Sequence, residues 1–359
     1  MKNRIISLLL ILCCVVLLCG CAPSAPAEAD GIRTVTDCAG RTVEVPADPQ
    51  SICCICPFSG SLIVMFGCGD RLTSTCNNVV RSRLLDAICP GIADVPVVKN
   101  SGSINGEEVL EIGTDLIIVN DGAYETDEER AKLDSMGIPY VVIGFTDLES
   151  QLEAMLVLGR ALGAEDEAQK YVDWCRGVYS GVSEAVSAFD GEPVRLYHSV
   201  NEAIRTDYYG SICAEWIAMT GAENVSVGSE LNREGDKAYT TLEQIYEWDP
   251  DMIICNEAGV DDYILSDGKW AGLACVRAGE VYQIPVGISR MGHPTSTETP
   301  LALMWLTNLL HPDLYDIDLV QALKDYYLDF YEYEIDDDIA EAMIEADEMR
   351  AAKSGVHVE

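Results

Sequence analysis

The sequence predicts an α/β protein of two lobes joined by a helical connection, and three observations support this prediction. Short apolar runs alternate with helical patterns, as is typical of parallel sheets covered by helices. The segment from residue 147 to 189 has helical periodicity, hardly any strand signal and no proline. Finally, a block of sequence in the first half of the chain recurs in the second half, which indicates duplicated architecture.

Length and composition restrict the class of protein. The chain has 359 residues, enough for two domains at roughly 100–200 residues each. Its 23 Lys+Arg stand against 60 Asp+Glu, which gives a net charge of −37. This charge argues against nucleic acid and anionic lipid as partners, because both require a basic surface. The 48% hydrophobic content is too high for a disordered acidic chain.

The N-terminus has the layout of a bacterial secretion signal. Basic residues precede an apolar run, Ile5 to Leu18, that is shorter than the roughly 20 residues of a membrane-spanning helix. The run ends in Leu-Cys-Gly-Cys21, which resembles a lipobox whose last Cys carries the lipid. We predict a lipoprotein signal peptide at 1–20, lipidation at Cys21 and a tether at 21–32. Ordinary secretion with an incidental Cys is the alternative.

Eleven of the 15 Cys remain once those of the signal and the lipidation site are set aside. Secretion favours disulfides. However, Cys53, Cys54 and Cys56 lie in an apolar, strand-like run, where Cys acts as a small hydrophobic residue. Neighbouring strand residues point to opposite faces, so these three cannot form one compact metal cage without outside ligands. We therefore expect mostly free thiols in the core and no metal site.

The elements of the first lobe follow in chain order. Residues 34–46 alternate around an Ala-Gly turn, which predicts a β-hairpin. The continuous apolar run at 51–56 predicts a buried parallel strand. Two further buried strands are predicted at 116–120 and 140–143, with a charged helix over 127–136 between them.

The helical connection comes next. Apolar residues at helical spacing predict one helix ending at Gly163 and a second from about Glu165 to Phe189. At 1.5 Å per residue the second helix spans about 37 Å, which suits a connection between lobes. Beyond it, strands are predicted at 194–198, 252–255 and 281–284. One large α/β domain is the alternative interpretation.

The internal repeat aligns residues 107–120 with 243–256 without a gap. The identical pairs are Glu107/Glu243, Glu111/Glu247, Asp115/Asp251, Ile117/Ile253, Ile118/Ile254 and Asn120/Asn256. In each copy a helix opens with an acid, where the helix dipole favours negative charge, and then turns through Asp into a buried strand. Two copies predict that the loops at the strand ends face a shared cleft.

Motifs in a characteristic order extend from about Thr34 to Glu345. They comprise the hairpin, the two repeat copies, Gly221-Ala222-x-Asn224-Val225, Trp270-x-x-Leu273-x-x-Val276-x-x-Gly279-x-Val281-Tyr282, and Ser289–Pro294 followed by His311-Pro312. Together they resemble the substrate-binding proteins of ABC importers for iron-siderophores, haem and cobalamin. The family usually has Pro-Asp where this chain has Thr114, whereas the second copy keeps Pro250-Asp251.

The resemblance implies two Rossmann-like lobes with central parallel sheets, joined by a long interdomain helix, as in class III periplasmic binding proteins. It also implies that Glu107 and Glu243 dock onto arginines of the membrane permease, which is physically reasonable for exposed acids meeting a basic partner. Simple first-turn helix charges are the alternative. The predicted boundaries are 33–146 for the N-terminal lobe, 147–190 for the connection, 191–350 for the C-terminal lobe and 351–359 for a tail.

A large chelate or macrocycle needs aromatic walls and a few placed charges. Loops expected at the cleft supply both, and arginine matches carboxylates bidentately. The candidate ligand contacts are Arg81, Arg83, Tyr124, Arg205, Tyr208, Tyr209, Arg290 and His293. Surface salt bridges are the alternative for each arginine, and His293 either coordinates a metal centre of the ligand or caps a loop.

We therefore expect a lipid-anchored, monomeric substrate-binding protein on the extracytoplasmic face of the cell membrane, without catalytic residues, resident metal or cofactor. Its ligand is expected to be an iron or cobalt chelate: a ferric siderophore, haem or a corrinoid. The expected protein partners are an ABC permease and its ATPase. Two alternatives are an extracellular enzyme, for which the common catalytic motifs are missing from the sequence, and a ligand sensor or adhesion module that needs no permease.

Overall fold

The structure is a computed structural model that describes residues 31–100, 102–235 and 237–346. The predicted signal peptide, Cys21, the tether as far as residue 30 and the tail at 351–359 lie outside the described residues. Within the described part of the chain, every helix is too short or too polar to cross a membrane.

The described chain begins with the predicted hairpin, β1 (Ile32–Thr36) and β2 (Thr42–Pro46), which pair antiparallel. The buried carboxylate of Asp37 accepts hydrogen bonds from the backbone N–H groups of Arg41 and Val142. It also pairs with the Arg41 guanidinium at 2.7 Å. Because Val142 belongs to the main sheet of the first lobe, this carboxylate fastens the hairpin to that lobe.

The first lobe contains six strands: β3 (Ile52–Cys54), β4 (Leu72–Cys76), β5 (Val97–Asn100), β6 (Ser103–Ile104), β7 (Leu116–Asn120) and β8 (Tyr140–Ile143). They form one sheet in the order β6-β5-β4-β3-β7-β8, parallel except for β6. The helices are α1 (Pro57–Met65), α2 (Asn77–Val80), α3 (Arg83–Ile88), α4 (Gly106–Ile112), α5 (Asp121–Glu125) and α6 (Asp127–Met136). β3, β7 and β8 are almost wholly buried, as expected of parallel strands covered on both faces.

Two helices connect the lobes, α7 (Leu148–Leu162) and α8 (Glu165–Val186). Asp147 caps α7 in a capping box, and Gly163, at φ 75°, adopts the left-handed backbone that ends it. α8 spans about 33 Å at 1.5 Å per residue. It ends before the predicted Phe189, because the last residues of the segment switch to i→i−3 hydrogen bonds.

The second lobe contains seven strands among the described residues: β9 (Arg195–Ser199), β10 (Arg205–Thr206), β11 (Glu223–Asn224), β12 (Asn232–Glu234), β13 (Lys237–Tyr239), β14 (Met252–Cys255) and β15 (Val281–Gln283). The parallel sheet has the order β11-β9-β14-β15, and β10-β13-β12 form a small antiparallel sheet. The helices are α9 (Ile212–Met219), α10 (Leu242–Trp248), α11 (Val260–Ser266), α12 (Ala274–Ala278), α13 (Thr299–Leu310), α14 (Leu319–Tyr331) and α15 (Asp337–Ile344). The three strands predicted in this half are confirmed as β9, β14 and β15.

The sequence repeat is also a structural repeat. α4 and β7 correspond to α10 and β14, and β7 pairs with β3 as β14 pairs with β9. The carboxylate of Asp115 accepts a hydrogen bond from the Ser51 N–H at 3.1 Å, and that of Asp251 accepts one from the Arg195 N–H at 2.9 Å. In each lobe the repeated Asp therefore holds the start of the neighbouring strand. The predicted two-lobe α/β fold is confirmed.

Candidate ligand-binding cleft

A cavity of about 730 Å³ lies between the two sheets. Much of its lining follows directly after parallel strands, at the edge where α/β sheets present their ligand sites. The lining residues that follow β3, β4, β7, β8 and β9 are Cys56, Asn77, Asp121, Gly144 and Val200. The volume falls within the ~300–1,000 Å³ that is usual for small-molecule sites. The duplicated scaffold thus encloses a cleft of ligand size.

The first-lobe wall combines aromatic rings, amides and an amine. Phe58 and Phe145 both line the cavity, and their ring centroids are 4.6 Å apart. The ammonium of Lys99 lies 3.5 Å from Oδ1 of Asn120, the residue that ends β7. This wall offers apolar contact together with a small number of hydrogen-bonding groups, as in sites for organic ligands.

The second-lobe wall carries two charged side chains and a phenol from β10 and the turn after it: Arg205, Asp207 and Tyr208. The side chain of Arg205 is only 12% exposed, and a carboxylate oxygen of Glu202 lies 3.8 Å from its guanidinium. That separation exceeds an ordinary charge-assisted hydrogen bond. The arginine therefore has donors to offer an anionic ligand.

Two helices begin at the cavity wall, where Pro57 opens α1 and Ile212 opens α9. The side chain of Ser211 caps α9 by accepting a hydrogen bond from the Ala214 N–H. Helix N-termini carry partial positive charge from their unpaired N–H groups. Together with Lys99 and Arg205, they offer positive charge to a ligand beside the two carboxylates of the lining, Asp121 and Asp207.

A cluster of three buried side chains lies in the second lobe: His198, Asp207 and Cys213, whose possible metal-ligating atoms all lie within 4.8 Å of one another. Nδ1 of His198 is 2.8 Å from Oδ2 of Asp207. The thiol of Cys213 donates to the carbonyl oxygen of Gly292 at 3.3 Å. Burial, followed by the charge of Asp207, raises the pKa of Cys213 well above its usual value, so its thiol is protonated at neutral pH.

Cys56 and Cys76 also line the cavity. Burial raises the pKa of both thiols, that of Cys56 to about 11. Because the thiolate is the nucleophilic form, these thiols and that of Cys213 are not activated nucleophiles.

Of the predicted ligand contacts, the structure brings Arg205, Tyr208 and His293 to the cavity wall. Arg290 lines a small neighbouring cavity, where its guanidinium pairs with Glu257. The predicted roles of these residues rest on their positions alone and stay predictions.

The other four predicted contacts are not among the residues that line the cavity. Tyr124 packs beneath the Arg41 guanidinium of the hairpin, which lies 4.8 Å from the centre of its ring. Tyr209 is 85% exposed. Arg81 ends α2 and Arg83 begins α3, and neither lines the cavity.

The polar cavity residues that were not predicted from the sequence include Lys99, Asn120 and Asp207. Asn120 ends a predicted strand, so the rule that ligands bind at strand ends could have found it. Lys99 lies on β5, for which no strand was predicted. Asp207 follows a strand of two residues, which leaves no periodic pattern to detect.

The repeat helices present a second surface. Glu107 and Glu243 are the second residues of α4 and α10, and both are exposed. One helical turn later, at aligned positions, Leu110 is 52% and Tyr246 is 37% exposed. Each lobe therefore presents a carboxylate and an apolar side chain on the same face of the same helix.

The fold, the repeat and the cleft together define a bilobed solute-binding protein. Comparison with known proteins identifies the family: residues 62–286 match the family described as periplasmic binding protein. The chain belongs to this family, among the class III periplasmic binding proteins of ABC importers.

Individual relatives agree with this assignment. The molybdate-binding protein MolA of Haemophilus influenzae is 24% identical over 270 residues, which cover 68% of this chain and 74% of MolA. YhfQ of Bacillus subtilis, named as an ABC transporter substrate-binding lipoprotein, is 25% identical over 191 residues, 50% of this chain and 58% of YhfQ. A periplasmic solute binding protein from Veillonella parvula superposes with a TM-score of 0.74 at 25% identity, covering 87% of this chain and 96% of that one.

Proposed function

We propose that this protein is the substrate-binding lipoprotein of an ABC importer and that it carries an anionic metal chelate in the cleft. The supporting observation is the composition of the cavity wall. Lys99, Arg205 and His293 line it beside the Phe58–Phe145 ring pair, in a chain of net charge −37. A ferric siderophore, haem or a corrinoid would present polar or acidic groups to Lys99 and Arg205 and an organic framework to the two rings.

The size of the cavity favours a chelate over a bare oxyanion. At about 30 Å³ per water molecule, a cavity of about 730 Å³ holds far more than the five atoms of molybdate, the ligand in the name of MolA. Molybdate is nevertheless the second candidate ligand, because MolA aligns with 68% of this chain.

Delivery to the permease would use the repeat helices. Glu107 and Glu243 are exposed at equivalent positions of the two lobes, so a permease with two basic pockets could engage both at once. Leu110 and Tyr246 would add apolar contact beside each carboxylate. Two charge pairs of this kind would fix the orientation in which the protein docks onto the permease.

Anchoring would hold the protein at the membrane outside the cytoplasm. The lipobox-like sequence that ends at Cys21 supports lipidation, and the related YhfQ is named as a lipoprotein. A lipid tether contributes about 0.8 kcal/mol per buried methylene, which keeps a soluble binding lobe near its permease.

The two alternative functions, an enzyme and a ligand sensor, predict different properties of the protein. An enzyme that used the cavity cysteines would need a thiolate, whereas burial raises the pKa of Cys56, Cys76 and Cys213. A ligand sensor would bind the same ligand but would tolerate loss of the repeat-helix carboxylates.

The ligand can be tested by thermal unfolding and calorimetry of the mature chain with ferric siderophores, haem, cobalamins and molybdate. We expect a metal chelate to raise the melting temperature, since a ligand at 100 times its Kd adds about 2.7 kcal/mol of stability. The metal-free siderophore and porphyrin are the matched controls. A shift with molybdate alone would identify an oxyanion carrier, and no shift with any compound would reject the proposed function.

Docking can be tested by reconstituting transport with the permease and ATPase. We expect the double substitution Glu107→Ala with Glu243→Ala to leave the ligand Kd unchanged and to abolish stimulation of transport. The pair Glu184→Ala with Glu341→Ala removes the same charge from exposed positions of α8 and α15 and should transport normally. Unimpaired transport by the first pair would reject the docking role of these two carboxylates, whereas a wild-type protein that binds ligand without stimulating transport would favour the sensor.

A further inference from the structure

The cluster of His198, Asp207 and Cys213 combines one nitrogen, one oxygen and one sulfur donor. The three residues come from the end of β9, from the turn after β10 and from the first turn of α9. All are at least 97% buried, and their possible ligand atoms lie within 4.8 Å of one another. Separate segments of the chain thus converge on a single point in the interior of the second lobe.

The hydrogen bonds among the described residues leave one strong polar atom of the cluster without a partner. Nδ1 of His198 is bonded to Asp207, but Nε2 is buried and no described residue forms a hydrogen bond with it. Buried ring nitrogens are normally satisfied, because leaving one without a partner costs the interaction that water would have provided. A cation bound at Nε2 would satisfy this nitrogen, while Nδ1 could keep its hydrogen bond to Asp207.

We propose that His198, Asp207 and Cys213 bind one divalent cation of the zinc class, with a further coordination position open towards the cavity. Nitrogen, oxygen and sulfur donors in one site are the set that Zn²⁺ prefers. Asp207 and Cys213 both line the cavity, so the open position would face the ligand. On binding, the Cys213 thiol releases its proton to solvent and no oxidation or reduction takes place.

Neighbouring residues contact two of the three donors, Asp207 and Cys213. Nδ2 of Asn224 donates to Oδ2 of Asp207 at 2.8 Å. The indole N–H of Trp216 donates to the carbonyl oxygen of Gly292, which also accepts the thiol proton of Cys213. The bond from Asn224 to Asp207 can persist when a cation binds, as outer contacts of metal ligands do. The Cys213 thiol would give up its bond to Gly292 together with its proton.

The cation would change the electrostatics of the cleft. It would neutralise the carboxylate and the thiolate and add a Lewis acid to the second-lobe wall, near Arg205. A donor atom of an anionic ligand could then take the open position. The proposed site goes beyond the proposed transport function, because metal binding can be measured with neither ligand nor permease present.

Titration of the purified metal-free protein with Co²⁺, followed by absorption, tests the site. We expect one equivalent to bind with a thiolate-to-cobalt charge-transfer band, and we expect Zn²⁺ to displace it. Cys213→Ser should lose that band and weaken binding at least tenfold. Cys275→Ser is the matched control, because Cys275 is likewise a buried thiol at the second position of a helix in this lobe, and it should behave as wild type.

Two further measurements keep the test decisive if Cys213→Ser does not fold. Asp207→Asn preserves shape and should also weaken Co²⁺ binding at least tenfold. X-ray absorption of the zinc-loaded wild-type protein should give one sulfur neighbour among nitrogen and oxygen neighbours. The proposal is overturned if no charge-transfer band forms, if the band survives Cys213→Ser, or if the zinc shell contains no sulfur. A failure here leaves the chelate-binding results above unaffected.

Discussion

The two lobes share one scaffold but present different groups to the cavity. β3 and β7 occupy the same sheet positions as β9 and β14. Asn120, at the end of β7, lines the cavity. The aligned Asn256 is fully buried, and its side-chain oxygen accepts a hydrogen bond from the Asn201 N–H. One copy of the repeat thus turns its strand-end amide towards the cleft, and the other uses it to hold a loop of its own lobe.

The small antiparallel sheet accounts for much of this difference. In the second lobe, β10, β12 and β13 lie between β9 and α10 along the chain, and this insertion brings Arg205, Asp207 and Tyr208 to the cavity. In the first lobe the corresponding stretch supplies the ring of Phe58, several amides and Lys99. Duplication has therefore preserved the sheet positions, and the segments between them have taken on different chemistry.

The largest effect is expected from removing the positive charges of the cavity, Arg205 in the second lobe and Lys99 in the first. The two ligand affinities then show how much each lobe contributes to binding. We expect Arg205→Met to weaken chelate binding about 10–100-fold, because a hydrogen bond to a charged group contributes about 1.5–3 kcal/mol. Lys99→Met should cost less, because Lys99 already contacts Asn120 and its single ammonium cannot bind a carboxylate bidentately. Calorimetry measures both Kd values, and thermal melting of the ligand-free variants checks folding. Equal losses would mean that both lobes contribute equally to ligand charge.

The scaffold could be predicted from the sequence because the patterns that indicate its strands and helices are local. The hairpin, the buried strands and the repeat all follow from alternation, apolar runs and turn residues over short stretches. The cleft was only partly predictable, because a loop residue's position depends on distant packing. Tyr124 lies shortly after the predicted strand that Asn120 ends, yet it packs beneath Arg41 of the hairpin. The sequence around Tyr124 and Arg41 gives no indication of that contact.

A smaller effect is expected at the repeated Asp that holds the neighbouring strand. Asp115 accepts hydrogen bonds from the N–H groups of both Gln50 and Ser51, whereas Asp251 accepts one from Arg195. We expect Asp115→Ala to lower the free energy of unfolding by about 2 kcal/mol and Asp251→Ala by about 1 kcal/mol, in keeping with charge-assisted bonds near the surface. Denaturant unfolding measures both.

The exposed Asp316 offers a control, since Asp316→Ala removes the same charge from a loop and should change stability by less than about 0.5 kcal/mol. If Asp251→Ala proved as costly as Asp115→Ala, the number of hydrogen bonds would not account for the difference between the lobes.

The last comparison concerns the residues where the repeat helices end, and the smallest effect of all is expected at Asp249. Gly113 and Asp249 are aligned, and both adopt left-handed backbone, with φ of 81° and 44°. An added Cβ at Gly113 would touch nothing within 4 Å, so only its backbone conformation penalises a side chain. We expect Gly113→Ala to lower the free energy of unfolding by about 1–2 kcal/mol. Asp249→Gly should leave it unchanged or raise it by about 0.5 kcal/mol, because relief of the left-handed residue offsets the greater freedom of unfolded Gly.

Gly177 is the matched control for the added methyl group. It lies within α8, where a Cβ also meets nothing within 4 Å and the backbone is helical. Gly177→Ala should therefore stabilise the protein by about 0.5–1 kcal/mol. Opposite signs for the two Gly→Ala substitutions, measured by denaturant unfolding, would assign the cost at Gly113 to backbone conformation. If Gly177→Ala lowered the free energy of unfolding as much as Gly113→Ala, the added methyl group and not the left-handed backbone would account for the loss. The explanation by backbone conformation would then be wrong.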